Sequence, residues 1–390
     1  MTDPITRRQL LERAAVGGAA LSLPSLLAAC GGGGIEGEAG KTAATTTVKR
    51  QLADTLVFAN WPDYIDIDEK TKRRPTLDDF TKAKGVKVKY IEEVNDNEEW
   101  FGKYQAQLSQ GQDIGRDLVV LTDWMAARMV RLGYVEKKDK QSIPNEKNLS
   151  PKLQHPSWDP NREYSLPWQG GFTGIAYDPK KTGGPITSIE QLLTDKKLKG
   201  KITCLTEMPD SIGLVMQANG NDPTKVTDEA FDGAISMLQE AVDSGQIRRF
   251  TGNDYLEDFA AGNAWAGMTW SGDVFQLQSD TPGLKWVVPD DGGMIWTDNM
   301  IIPTGGDVYT ASVFMNFVYD PKIAAQIEAY IYYICPVEGA KQAMKSLDKT
   351  AANSPYIFPT EEELANVKAF DPKAADKTEY KEEFQALIGA

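Results

Sequence analysis

A tryptophan and an aspartate lie two residues apart, at Trp296 and Asp298, in a stretch whose residue types could bind a charged ligand. The stretch reads Gly-Gly-Met-Ile-Trp-Thr-Asp-Asn-Met-Ile-Ile-Pro over residues 292–303. Its apolar, partly β-branched run predicts a strand, and period-2 geometry places the two side chains on one face. A ring beside a carboxylate suits a ligand with a hydrocarbon body and a cationic head. The same stretch is also compatible with a core tryptophan and a turn-capping aspartate.

Further aromatic and polar residues follow directly after two predicted strands. Residues 55–59 and 117–121 are apolar runs of strand length, and helical patterns lie between them. In an open parallel sheet, ligands bind beyond the carboxyl ends of the strands. The residues at these two strand ends are Trp61, Tyr64, Thr122, Asp123 and Trp124.

Composition narrows the functions that these residues can serve. The chain has 390 residues, enough for two ordinary domains, and a formal net charge of -14. This negative charge argues against nucleic acid as a partner. His155 is the only histidine in the sequence. Histidine-based catalysis and metal sites with several histidines are therefore nearly excluded, and we expect no metal and no cofactor.

The N-terminus is typical of an exported bacterial protein. Arg7-Arg8 precede an apolar stretch over residues 14–29, which is the pattern of a Tat export signal. The stretch ends in Leu-Ala-Ala-Cys-Gly, a lipobox-like run in which Cys30 would receive the lipid. A plain signal peptide with a chance cysteine is the alternative. We expect residues 1–29 to be removed and the Gly- and Thr-rich residues 30–53 to form a flexible tether at the membrane.

The order of predicted elements indicates an α/β protein with two lobes. A β-α-β-α-β pattern predicts a parallel sheet in the first part of the chain, and the alternation resumes in the second part. Residues 164–171 are interpreted as the crossing into a second lobe, and Trp296 begins a second crossing. Two such lobes form a hinged clamp. The predicted boundaries are 54–168 plus 297–341 for lobe 1, and 169–296 plus 342–390 for lobe 2.

Five short motifs carry a family resemblance from about residue 56 to about residue 340. They are Trp61-Pro62-Asp63-Tyr64, Asp117-Leu118-Val119-Val120, Tyr164-Ser165-Leu166-Pro167, Met268-Thr269-Trp270-Ser271-Gly272, and Gly-Gly-x-x-Trp-x-Asp over 292–298. In this order the chain resembles the periplasmic spermidine/putrescine-binding proteins of bacterial ABC importers. The resemblance implies a type II periplasmic-binding-protein clamp, with two α/β lobes joined by a multi-strand hinge, that delivers a polyamine to a membrane permease. We expect a monomer.

The resemblance also implies which residues contact the ligand. In that family, aromatic rings stack on the methylene chain of the polyamine while carboxylates bind its ammonium groups. The matching positions are Trp61 and Tyr64 for the first pair of rings, Thr122 and Trp124 for a hydroxyl and a ring, Trp270, Trp296 and Tyr333 for the remaining rings, and Asp298 for a main amine-binding carboxylate.

One departure from the family pattern leaves the ligand open. The family has two more carboxylates in the second lobe, and the alignment places Met208 and Ser211 at those positions. Glu207 and Asp210 are adjacent in sequence, and Asp123 is a possible substitute for the missing charge. A shorter diamine, a monoamine or another cationic solute is therefore an alternative ligand.

Other functions are less well supported by the residues. Tyr332-Tyr333 is similar to the adjacent tyrosines of ferric-ion-binding proteins, but those proteins usually add a histidine and a carboxylate. A sugar or an amino-acid-like amine on the same clamp is a further alternative. A secreted hydrolase is disfavoured because the sequence has no G-x-S-x-G elbow and no metal motif. We do not expect an enzyme.

The remaining aromatic and sulfur residues are assigned to the core. Cys204 and Cys335 would lie in an oxidising compartment, where they could pair, or each could be a small buried apolar residue. The tryptophans assigned to packing are Trp100, Trp158, Trp265 and Trp286.

Overall fold

Alternating apolar strands and amphipathic helices build one central sheet of eleven strands. The computed structural model describes residues 49–389. The predicted signal 1–29, the lipidation site Cys30 and residues 31–48 of the predicted tether lie outside the described residues.

The strands are β1 (Thr55–Asn60), β2 (Lys87–Glu92), β3 (Leu118–Thr122), β4 (Val135–Glu136), β5 (Ser165–Tyr177), β6 (Ile202–Leu205), β7 (Ile247–Thr251), β8 (Ala266–Trp270), β9 (Lys285–Val287), β10 (Gly293–Pro303) and β11 (Val367–Lys368). The α-helices are α1 (Pro75–Lys84), α2 (Asn97–Leu108), α3 (Asp123–Leu132), α4 (Pro179–Thr182), α5 (Ile189–Thr194), α6 (Met208–Ala218), α7 (Asp228–Asp243), α8 (Tyr255–Ala260), α9 (Ser271–Leu277), α10 (Val308–Val318), α11 (Pro321–Ile331), α12 (Ala340–Met344), α13 (Glu361–Ala365), α14 (Pro372–Ala375) and α15 (Thr378–Ile388).

The sheet is mixed rather than purely parallel. Its main order is β2-β1-β3-β10-β5-β8-β6-β7. The strands at each end pair in parallel, as the β-α-β pattern predicts: β1 with β2 and β3, and β6 with β7 and β8. The two central strands differ, because β10 runs antiparallel to both β3 and β5, and β5 runs antiparallel to β8.

The long strands β5 and β10 connect the two halves of this sheet. Along β10, Gly293 and Met294 pair with β11, whereas the segment from Asp298 to Ile301 pairs with β3. Along β5, pairing with β8 begins at Thr173. Each strand therefore changes partner midway, and the chain crosses between the halves there. The numbered lobe boundaries given above stay a prediction.

Two element boundaries differ from the sequence prediction for identifiable reasons. The Gly170-Gly171 pair lies inside β5 instead of breaking it, because the ring of Trp296 covers Gly171. A Cβ at Gly171 would lie 2.3 Å from Trp296 Cζ2. The apolar pattern predicts a helix from Ser211 to Ala218, whereas helix α6 begins at Met208, with a proline in its first turn, where the missing N–H has no partner to lose.

The last residues of the predicted tether contact the folded body. Arg50 Nε lies 2.9 Å from Asp139 Oδ2, and the backbone N–H of Ala53 donates to Thr310 Oγ1 at 2.9 Å. Within residues 49–389, no helix combines the length and the apolar character that a bilayer crossing requires.

The cysteines and the packing tryptophans lie in or against the core. Cys204 is buried and Cys335 is half-buried, and both are free thiols. The four tryptophans assigned to packing are buried or packed against the core: Trp100, Trp158, Trp265 and Trp286. His155 is exposed on the surface.

Candidate ligand-binding site

The ends of strands from both halves of the sheet meet around a cavity. Trp61 and Tyr64 follow β1, Thr122 ends β3, Trp270 ends β8, and Trp296 is on β10. The full lining is Trp61, Pro62, Tyr64, Thr122, Glu207, Asp210, Asn253, Trp270, Asp273, Trp296, Asp298 and Tyr333. The cavity thus lies at the carboxyl ends of parallel strands, where α/β sheets bind ligands.

Trp296 and Asp298 both face this cavity, so the predicted shared face on β10 is confirmed. Asp298 lies at a point where the register of β10 against β5 shifts, between Asp298 and Asn299. The irregularity follows the position where β10 begins to pair with β3. The carboxylate therefore sits at the crossing between the halves of the sheet, within reach of groups from both.

Aromatic rings form a connected wall of the cavity. Trp61 meets Trp270 edge-on at a centroid distance of 5.6 Å, and Tyr64 meets Tyr333 edge-on at 5.0 Å. Trp296 joins the two pairs, at 6.4 Å from Trp270 and 5.6 Å from Tyr333. The indole N–H of Trp61 is bound to the backbone oxygen of Val120 at 3.2 Å, which fixes the ring.

Four buried carboxyl groups lie among these rings: Glu207, Asp210, Asp273 and Asp298. None of the described residues that line the cavity is a lysine, arginine or histidine. Buried carboxylates normally pair with a cation or a metal, because an isolated buried charge is costly. The lining therefore provides no positive charge to balance these carboxylates, and a cationic ligand could provide it.

Asp298 and Asp273 are held by tyrosine hydroxyls. Tyr64 donates to Asp298 Oδ2 at 2.9 Å, while Asp298 Oδ1 has no hydrogen-bond partner among the described residues. Tyr333 donates to Asp273 Oδ1 at 2.6 Å, and Tyr255 donates to Asp273 Oδ2 at 2.6 Å. These hydroxyls orient both carboxylates.

Asp210 and Glu207 are held by a different set of donors. Thr173 Oγ1 donates to Asp210 Oδ1 at 2.5 Å, and Trp270 Nε1 donates to Asp210 Oδ2 at 3.1 Å. Glu207 Oε1 accepts two hydrogen bonds from Asn97, one from its backbone N–H at 2.7 Å and one from Nδ2 at 2.8 Å.

Burial raises the pKa of all four carboxyl groups. The pKa of Asp298 rises to about 7, and those of Asp210 and Asp273 rise to about 6. The pKa of Glu207 also lies well above its ordinary value, from burial and from the nearby charges of Asp96 and Asp210. Hydrogen bonds to the charged forms oppose these shifts but do not cancel them. Near neutral pH, the cavity therefore takes up protons unless a cation is present.

Seven of the nine residues predicted to contact the ligand line this cavity: Trp61, Tyr64, Thr122, Trp270, Trp296, Asp298 and Tyr333. Asp123 and Trp124 do not line it. Helix α3 begins at Asp123, so each successive side chain turns away by about 100° from the strand end. Both residues face a neighbouring cavity that Trp158 and Phe370 also line. Tyr332 also lies outside the first cavity, so the adjacent tyrosines do not meet there.

The sequence analysis missed Asn253 and three of the four carboxyl groups. Met208 and Ser211 were placed at the carboxylate positions, but the cavity is lined by Glu207 and Asp210. Ser211 instead bonds the backbone of the preceding strand, its hydroxyl donating to Leu205 O at 2.6 Å. The Glu-x-x-Asp spacing at the start of α6 was a usable signal, because side chains three apart share a helix face.

Asp273 had a similar signal, since it stands three residues after Trp270 in the first turn of α9. Asn253 precedes α8, and its Nδ2 donates to Asp273 Oδ2 at 2.7 Å. In the described part of the chain, no group of three or more histidine, cysteine, aspartate or glutamate side chains has the arrangement of a metal site.

Comparison with known proteins agrees with this geometry. The spermidine/putrescine-binding periplasmic protein of Escherichia coli strain K12 is 26% identical over 340 residues, covering 86% of this chain and 91% of that protein. The putrescine-binding periplasmic protein SpuD of Pseudomonas aeruginosa is 28% identical over 350 residues, covering 84% and 90%. The structure of a putative spermidine/putrescine ABC transporter protein from Listeria monocytogenes superposes with a TM-score of 0.73 at 24% identity, covering 86% of this chain and 98% of that one.

The structural likeness confirms the predicted fold class, a two-lobe α/β clamp of the type II periplasmic binding proteins. We use the term first lobe for the half of the sheet that contains β1–β3, and second lobe for the half that contains β6–β8. Residues 76–356, well over half of the chain, match the family described as "Bacterial extracellular solute-binding protein". The chain therefore belongs to the bacterial extracellular solute-binding proteins.

Proposed function

We propose that this solute-binding protein captures a polyamine, or a closely related organic amine with two or more cationic centres, between its lobes. The observation that carries the proposal is the set of four buried carboxyl groups in a cavity whose described lining has no basic side chain. A diamine or triamine would supply the missing charge. The relatives in Escherichia coli and Pseudomonas aeruginosa are named for spermidine and putrescine, which supports this ligand class.

The two kinds of lining residue suit the two parts of such a ligand. An ammonium group binds a ring face with about 0.5–2 kcal/mol and binds carboxylates through charge-assisted hydrogen bonds. The indoles of Trp61, Trp270 and Trp296 offer apolar surface to a methylene chain. Four carboxyl groups exceed what a single ammonium needs, so a monoamine would leave buried charge unpaired.

We further propose that the protein releases its ligand unchanged to an ABC permease and acts as a monomer. The chain would be exported through its twin-arginine signal and anchored by lipid on Cys30. Relatives named periplasmic proteins support the compartment. Cys30→Ala should move the protein from the membrane fraction to the soluble fraction. Continued membrane association of the variant would contradict the lipid anchor.

Calorimetric titration of the mature chain tests the ligand. We expect saturable binding of 1,4-diaminobutane or spermidine, and much weaker binding of γ-aminobutyrate, free amino acids and sugars. The quadruple change of Glu207, Asp210, Asp273 and Asp298 to their amides should abolish amine binding while near-ultraviolet circular dichroism stays native. Tighter binding of a neutral or anionic solute than of any di- or polyamine would contradict the proposal.

A further inference from the structure

Asn97, the first residue of α2, reaches from the first lobe to a carboxyl group of the second. Its backbone N–H and its Nδ2 both donate to Glu207 Oε1, at 2.7 and 2.8 Å. Asn97 is 0% exposed and Glu207 is 4% exposed. Since Glu207 lines the ligand cavity and Asn97 does not, this contact links the cavity to the facing lobe.

The side chain of Asn97 is fixed within its own lobe before it meets Glu207. Its Nδ2 lies 2.8 Å from Thr122 Oγ1, and its Oδ1 accepts a hydrogen bond from the Thr122 backbone N–H at 3.1 Å. Thr122 ends β3 and lines the cavity. Asn97 is therefore a bridge between one cavity residue in each lobe.

The residues before Asn97 also contact the second lobe. Thr206 Oγ1 donates to Asp96 Oδ2 at 2.7 Å, and the Asn253 backbone N–H donates to Asn95 O at 3.3 Å. Asp96 in turn caps α2 by accepting from the Glu99 N–H at 3.0 Å. Segment 95–97 thus forms an interlobe contact beside the cavity, and opening of the clamp would separate its atoms from Thr206, Glu207 and Asn253.

We propose that Asn97 couples the charge of the bound ligand to closure of the lobes. Among the described residues, the hydrogen bonds to the Glu207 carboxyl group are both made at Oε1, and Asn97 donates both of them. A ligand cation beside Glu207 keeps that group ionised. Hydrogen bonds to a charged acceptor are roughly twice as strong as those to a neutral one. The cation thereby strengthens two bonds that exist only in the closed form.

This coupling rests on the proposed amine-binding function and adds a selection step to it. A ligand shifts a conformational equilibrium only by its difference in affinity for the two states. A neutral molecule that fills the cavity brings no charge to favour ionised Glu207, so it does not strengthen the two hydrogen bonds from Asn97. Asn97 is then a positioning residue that makes closure respond to positive charge as well as to shape.

Asn97→Ala tests the coupling, with 1,4-diaminobutane and spermidine as probes. We expect weaker binding by roughly 5- to 150-fold, the usual range of a coupling free energy. We also expect a larger radius of gyration at saturating amine than for the natural chain, measured by small-angle scattering. Gln105→Ala on the same helix is the control, because Gln105 is exposed and lies outside the cavity, and it should leave both values unchanged.

Two further variants separate coupling from a general loss of structure. Asn97→Ala and Asn97→Ser both keep the backbone N–H donor to Glu207, but Asn97→Ser also keeps a side-chain hydroxyl donor, so it should show a smaller loss of affinity. In a Glu207→Gln background, which keeps an acceptor oxygen but removes the charge, Asn97→Ala should cost much less affinity than in the natural chain. Additive effects of these two changes, or full closure of the Asn97→Ala variant at unchanged affinity, would overturn the coupling. Absence of amine binding by the natural chain would instead overturn the proposed function.

Discussion

The Tyr64 hydroxyl donates a hydrogen bond of 2.9 Å to Asp298 Oδ2, and Asp298 Oδ1 has no hydrogen-bond partner in residues 49–389. Asp298 is 4% exposed, so water has little access to that oxygen. A buried acceptor without a partner costs on the order of 1–3 kcal/mol, and more when charged. One oxygen is oriented by the protein and the other is left for a donor, which is the arrangement that an incoming ammonium group would complete.

The adjacent tyrosines give a matched pair of variants. Tyr333→Phe removes the hydroxyl that donates to Asp273 Oδ1 at 2.6 Å, whereas Tyr332 is half-buried and lies outside the cavity. Loss of one hydrogen bond to a charged group costs about 1.5–3 kcal/mol. We expect Tyr333→Phe to weaken amine binding by roughly 10- to 150-fold and Tyr332→Phe to leave it unchanged, both measured by calorimetry. Equal effects of the two changes would remove Tyr333 from the site.

Gly171 tests whether the position of the Trp296 ring matters for binding. A Cβ there would lie 2.3 Å from Trp296 Cζ2 and 2.5 Å from Cη2, so Gly171→Ala must displace the indole. We expect weaker amine binding, by about tenfold or more, and a shift in tryptophan fluorescence. Gly102→Ala on α2 is the control, because a Cβ at Gly102 meets no atom within 4 Å. An unchanged affinity for Gly171→Ala would show that the ring contributes little.

The raised pKa values predict a specific dependence of binding on pH. Asp298 has a pKa of about 7, and Asp210 and Asp273 have pKa values of about 6, whereas alkylammonium groups stay charged across this range. A cation binds the ionised carboxylates, so affinity should be highest near pH 8 and fall as the pH drops through 7 towards 5. Each linked proton gives up to about a tenfold change per pH unit. Titrations at pH 6.5 in buffers of different ionisation enthalpy should detect proton release, and affinity that is flat from pH 8 to 5.5 would contradict this prediction.

The same shifts predict how stability depends on pH without ligand. An acid whose pKa is raised on folding contributes stability below its unfolded pKa, and that contribution is lost as the pH rises through the folded pKa. The melting temperature of the ligand-free protein should therefore fall between pH 5 and pH 8. Saturating amine should remove most of this fall, because the cation offsets the buried charge.

Those parts of the site that depend on short sequence patterns could be predicted from the sequence. Period-2 spacing placed Trp296 and Asp298 on one face of β10, and strand-end positions identified Trp61 and Tyr64. Asp123 lies outside this cavity, since a helix that starts immediately after a strand turns its side chains away from the strand end. The β-α-β pattern predicted parallel pairing at both ends of the sheet, as observed.

Local sequence patterns did not predict which strands distant in the sequence pair with one another. That β10 lies antiparallel between β3 and β5 depends on contacts over more than a hundred residues, which no local periodicity encodes. The carboxyl groups Glu207 and Asp210 were misplaced by one residue, because the start of α6 sets which side chains face the cavity. A cavity built from several separate segments is therefore only partly visible in any one stretch of sequence.

The last prediction concerns Asp298→Asn, which keeps the shape of the side chain and removes its charge. Deleting one partner of a buried charge pair costs on the order of 2–5 kcal/mol, so amine affinity at pH 8 should fall roughly thirtyfold to several-thousandfold. In the ligand-free protein the change should raise the melting temperature at pH 8, since an ionised carboxylate with a pKa of about 7 is unfavourable where it is buried. That gain should shrink towards pH 4, where the natural carboxyl group is protonated in the folded and much of the unfolded protein.

A structural role for Asp298 predicts the opposite pair of results. If the carboxylate served only to orient Tyr64, through the 2.9 Å hydrogen bond to its hydroxyl, Asp298→Asn would keep an acceptor oxygen there and leave amine affinity near normal. If the carboxylate stabilised the fold, the melting temperature would fall at pH 8 instead of rising. Measuring both quantities on one variant, with the exposed Asp232→Asn as a matched control for loss of one negative charge, separates these roles. Near-normal affinity would remove Asp298 from the site and with it the strongest single reason for a cationic ligand.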